Sequence, residues 1–149
     1  MKRIRSIMNP CIHRGFTLLE VMVTVLVLSI GLLGLAGLQA TSLKLNSSAY
    51  LRSQATNLAY DMADRMRANR QVALSGAYDG TAATTCQVIN PTGDMAEQDV
   101  AAWGNALACT LPQGAGSIAT NGGIVTIVVQ WDDSRGELPA QQFSMETDL

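Results

Sequence analysis

A chain of 149 residues, 48% apolar and with a formal net charge of −2, has the length and average composition of one ordinary globular domain. Its distribution excludes that: residues 21–43 contain no charged side chain, whereas the first fifteen carry Lys2, Arg3, Arg5 and Arg14 and no acid. The other six basic residues face all 12 acidic ones, so the chain beyond residue 15 sums to −6, which argues against generic nucleic-acid binding.

The first predicted element is a membrane span. About 20 apolar residues at the helical rise cover the hydrocarbon core of a bilayer, and the charge-free run exceeds that. Positive charge on the short preceding flank holds that end in the cytoplasm and places the rest of the chain outside the inner membrane. A secretory signal peptide has a shorter apolar region, of about 7 to 15 residues, before a small-residue cleavage site. Ala36 and Ala40 offer small residues, but the run is longer and Glu20 stands near its start. A carboxylate in hydrocarbon costs about 2.5 to 3.5 kcal/mol on insertion scales and marks a function or a partner.

Residues 15–20, Gly-Phe-Thr-Leu-Leu-Glu, lie between the basic leader and the charge-free run. They resemble the processing site of type IV pilins and their relatives, the class III signal. The resemblance implies that prepilin peptidase cuts between Gly15 and Phe16, removing a leader of residues 1–15, and that Phe16 is N-methylated. Met8 offers a second start that gives a shorter leader of the same sense. Glu20 is then the fifth mature residue and the subunit-docking residue, paired with the Phe16 ammonium of a neighbouring subunit; the alternative is a carboxylate hydrated among lipid headgroups.

In outline the chain further resembles the PilV-type minor pilins, which implies a structural subunit that helps initiate or cap a type IV pilus. The implied partners are prepilin peptidase, other minor and major pilins, and the inner-membrane pilus assembly platform. The implied location is a single pass of the inner membrane with a periplasmic head, and then the pilus at the cell surface. Two readings stay open beside it: a pseudopilin of a type II secretion system, and an adhesin or DNA-binding pilin at the filament tip.

No proline occurs between Phe16 and Asn69, which predicts one long helix. Residues 16–38 form its membrane or filament-core half, where Gly31, Gly34 and Gly37 permit close helix approach and weaken the helix by roughly 1 kcal/mol each. Residues 39–70 form an amphipathic half, in which Leu51, Ala55, Leu58, Met62 and Met66 recur at steps of three or four. Met62 and Met66 read as core packing, and Asp61 with Arg65 has the spacing of a helical ion pair.

A head is expected over residues 71–149. Residues 75–85, rich in glycine and short side chains, predict an irregular loop with little to bury. Asp94 with Glu97 three residues on resembles a capping box, and Val100, Trp103 and Leu107 give an apolar stripe, so a helix is placed over residues 95–108. The β-branched run at residues 122–131 predicts a strand, preceded by a hairpin signal, Thr-Asn-Gly-Gly, and a pairing segment at residues 117–120. Residues 141–147 return as a further strand. The result is an α+β, pilin-like architecture in which a long N-terminal helix packs against a small antiparallel sheet.

Candidate chemistry is sparse. Cys11 falls in the leader, leaving Cys86 and Cys109 as an even pair that an oxidising compartment favours as a disulfide; two free thiols are the alternative. The one histidine, His13, also lies in the leader, so no catalytic residue, cofactor or metal site is expected. Asp132, Asp133 and Glu137 read as a solvated loop rather than a calcium site. Arg65, Arg67 and Arg70 form a small basic cluster, Asn46-Ser47-Ser48 is a glycosylation pattern inside predicted helix, and a tip ligand would draw on Trp103, Trp131 and Tyr78.

Overall fold

The computed structural model describes residues 15–82, 85–134 and 136–149; the leader up to Arg14, with Cys11 and His13, lies outside them. Seven elements follow in order: α1 (Leu18–Ala68), α2 (Arg70–Leu74), β1 (Gly80–Thr81), α3 (Met95–Thr110), β2 (Ala115–Asn121), β3 (Ile124–Trp131) and β4 (Gln141–Asp148). The chain divides into two compact units at Leu43 and Lys44, so α1 contributes to both.

In the first unit, α1 runs unbroken through Gly31, Gly34 and Gly37. Its hydroxyl side chains turn inward on their own backbone: Thr24 donates to the Val21 carbonyl, Ser29 to Val25 and Thr41 to Gly37. Polar atoms that an apolar solvent would strand are thereby satisfied locally.

In the second unit, the anticipated stripe of α1 faces the core. Ala55, Met62 and Met66 are fully buried, as are Ala59 and Ala63, while Leu51 and Leu58 pack against them half-exposed. Asn69 leaves helical geometry, with φ −117° and ψ 45°, and separates α1 from the single-turn α2. Helix α3 starts where Asp94 accepts a hydrogen bond from the Glu97 amide at 2.9 Å, and it buries Trp103 and Leu107. The Trp103 indole N–H donates to the Leu58 carbonyl at 2.9 Å, fixing α3 against α1.

The sheet is an antiparallel meander of order β1-β2-β3-β4. Gly122 and Gly123, both with positive φ, make the two-residue connection of the β2–β3 hairpin, a geometry that favours glycine. Inward positions of β3, namely Val125, Ile127, Val129 and Trp131, lie opposite Ile118 on β2 and Phe143 and Met145 on β4. Gly116 is the contact point with α3: a Cβ there would stand 2.4 Å from the Trp103 ring.

Two expectations fail in part. Asp132, read as part of a solvated loop, is buried. Within the loop expected over residues 75–85, the described residues 75–82 do more than connect: Tyr78 is fully buried and Gly80–Thr81 forms β1, paired with Ile118 and Ser117. One large aromatic, with Ala82 beside it in the core, anchors a stretch whose average composition is otherwise glycine and short polar side chains.

Candidate functional site

The N-terminal segment presents its features in sequence. Gly15 and Phe16 are exposed and precede α1, with Thr17 immediately before the first helical residue. The Glu20 amide donates to the Thr17 hydroxyl at 3.3 Å and to its carbonyl at 3.1 Å. Thr17 is therefore the N-cap, and Thr17 with Glu20 has the spacing of a capping box. The capping role of Thr17 has a sequence signal, a threonine three residues before Glu20, that stands apart from the processing signal. The carboxylate stands in the first turn, where the helix dipole favours a negative charge, and no ion pair reaches it among the described residues.

From Leu18 to Leu43 every side chain is exposed. These 26 residues span about 39 Å at the helical rise, more than the hydrocarbon core requires.

The head contains one polar lock and one covalent tie. The buried Tyr78 donates its hydroxyl proton to Asp99 at 2.9 Å and accepts from the Asn69 amide at 3.1 Å. Asp99 also accepts from Arg65, which bonds Asp61 on its own helix at 2.9 Å. Burial raises the Tyr78 phenol above its usual pKa, and the hydrogen-bonded Asp61 carboxylate holds the Arg65 guanidinium above its own. The tie is a disulfide between Cys86 and Cys109, with Cα atoms 4.7 Å apart. It fastens the irregular segment before α3 to the end of that helix, assisted by the Gln87 amide donating to the Asn105 side chain.

The other candidates do not assemble into sites. Asp132 accepts from the amide and hydroxyl of Ser134, and Asp133 accepts from Ser48 at 2.7 Å; no cluster of three metal-ligating side chains occurs among the described residues. The arginines serve separate partners: Arg65 as above, Arg67 with Asp64 and Thr147, and Arg70 with the Leu149 carbonyl. Trp103, Trp131 and Tyr78 are all buried, which removes the surface patch considered for a tip ligand: in a head this small the large aromatics fill the core.

Comparison with known families agrees with this geometry. A profile described as the prokaryotic N-terminal methylation motif matches residues 12–36, which cover the start of α1. The motif places the molecule in the class of methylated, pilin-type subunits and implies processing by prepilin peptidase and incorporation into a pilus with other pilins. The chain belongs to the family described as type IV pilin Tt1218, whose profile matches residues 37–115, just over half of the chain. It is a family of structural proteins, and the apolar helix and signal suit membrane anchoring. No curated protein and no solved structure matches the chain.

Proposed function

We propose that this pilin is a minor subunit of the PilV type, which helps to initiate or cap a type IV pilus and has no enzymatic activity. Prepilin peptidase cuts between Gly15 and Phe16, Phe16 is methylated, and the head waits in the periplasm on a single span until the assembly platform passes the subunit to its partner pilins. The observation that carries the reading is the charge-free face of α1 with one carboxylate at its start: every side chain from Leu18 to Leu43 is exposed, so the whole surface is available for lipid and then for neighbouring helices.

Glu20 supplies register in this scheme. In hydrocarbon a carboxylate and a neighbouring subunit's ammonium attract with little screening, and the pair replaces the lost hydration of both. Glu20→Gln retains size and polarity and leaves the scissile bond intact, so cleavage continues while incorporation falls, at a docking cost of about 1 to 3 kcal/mol. The measurement is the ratio of cleaved protein in membranes to cleaved protein in sheared filaments, at matched expression. Equal incorporation of the variant refutes the docking role; an N-terminus other than methylated Phe16 refutes the processing site.

A further inference from the structure

The two edges of the sheet are finished differently. On one side β1 covers the middle of β2, with Ala82 adding a hydrogen bond to Gly116 and Asp79 accepting from Thr120. On the other, β4 pairs with β3 over eight consecutive one-to-one positions, and the sheet order ends with it among the described residues. Natural edge strands are commonly blunted by shortness, proline, a bulge or charged side chains. Residues 141–148 are eight long, regular and free of proline, and of these devices carry only the charges of Glu146 and Asp148, which repel an acidic strand and suit a basic one.

Side chains on β4 are also incompletely covered. Phe143 and Met145 point to the core side and remain half-exposed, at the margin of the apolar layer. Glu146 and Asp148 lie exposed on the opposite face, across from Thr126 and Ile124, and no ion pair reaches either among the described residues. A strand added beside β4 would place alternate side chains on these two faces. We infer that β4 is a docking edge for an extended segment of another polypeptide, in which apolar side chains facing Phe143 and Met145 alternate with lysine or arginine facing Glu146 and Asp148.

A second copy of β4 is a poor occupant for geometric reasons. Ser48 bonds Asp133 beyond one end of β3, and Arg67 bonds Thr147, which is paired with Val125 near the other end; α1 therefore runs along the strands. Antiparallel pairing of two β4 strands requires a twofold axis perpendicular to the sheet, which reverses α1 as well, whereas subunits sharing one membrane or filament run the same way. Parallel pairing turns one sheet over and sets Phe143 and Met145 beside the other copy's carboxylates. Neither objection applies to a basic, alternating strand from a different chain. This inference stands apart from the minor-pilin reading.

The test uses the full chain in detergent micelles with a synthetic octapeptide of alternating valine and lysine as probe. Binding is read by fluorescence anisotropy, and the bound surface by amide hydrogen exchange. The expected result is slowed exchange of the outward-facing amides of residues 141–148, with affinity lowered about tenfold or more by Glu146→Lys, an exposed change that reverses the charge. Full backbone N-methylation of the peptide should abolish binding, because it keeps the charge but removes the ladder donors. Equal binding of the methylated peptide, protection elsewhere than β4, absence of binding, or protection of β4 in a peptide-free dimer would each overturn the proposal.

Discussion

Residues 18–43 and 44–68 belong to one helix, yet they answer to opposite solvents. The first stretch is exposed on every side, while the second buries a narrow stripe of alanine and methionine and shows its remaining faces to water. Continuity of backbone hydrogen bonding says nothing about what a helix packs against; the pattern of side chains does. A substitution of one kind should therefore have different consequences in the two stretches.

The largest contrast is between Met62 and Leu33. Met62→Ala removes a fully buried side chain and is expected to destabilise the head by about 4 kcal/mol. Leu33→Ala should leave head unfolding unchanged and make partitioning into the membrane about 2 kcal/mol less favourable. Urea unfolding followed by tryptophan fluorescence separates the two, because both tryptophans, Trp103 and Trp131, are buried in the head. Equal loss of head stability in the two variants would erase the contrast.

Next is the disulfide. Cys86→Ser opens a loop with a sequence separation of 23 and should lower head stability by about 3 kcal/mol in the chain-entropy model, without slowing cleavage of the leader. Alkylation before and after reduction, read by mass, reports whether the protein isolated from cells contains the bond.

Glycine gives a contrast of sign. Gly116→Ala forces a methyl group against the Trp103 ring and the Leu107 side chain, costing about 2 kcal/mol, whereas Gly34→Ala meets nothing within 4 Å and should strengthen the helix by roughly 1 kcal/mol. Unfolding curves for the first and helicity by circular dichroism for the second decide it.

The smallest effect is alkaline. Burial raises the Tyr78 pKa, so its contribution is fully present below about pH 10, where the unfolded tyrosine titrates, and is lost as pH rises through the higher folded value. Tyr78→Phe should abolish this dependence while lowering the neutral-pH stability by about 1 kcal/mol through loss of the Asp99 and Asn69 bonds. Unfolding midpoints from pH 8 to 11 measure both.

Most of the architecture was legible in residue order. Periodicity located the stripe of α1, Asp94 marked the start of α3, and the β-branched run with its glycine pair defined the central hairpin. Each of these signals is local, and each element forms largely from its own residues. What escaped was relational. Nothing near Tyr78 in the chain indicates Asp99 or Asn69, and nothing near Gly116 indicates Trp103. The candidate site divided in the same way: the signal at Gly15, Phe16 and Glu20 is contiguous and readable, whereas the uncovered edge of β4 exists only once β3 is beside it.

The order in which the core is completed has a consequence for biogenesis. The buried stripe of α1 is synthesised first, but strand β3, which completes the same core, ends at Trp131, and Phe143 and Met145 of β4 follow later. At ordinary rates of synthesis, roughly 65 residues separate Met66 from Trp131 by several seconds. Throughout that interval the methionine and alanine face has no sheet to cover it.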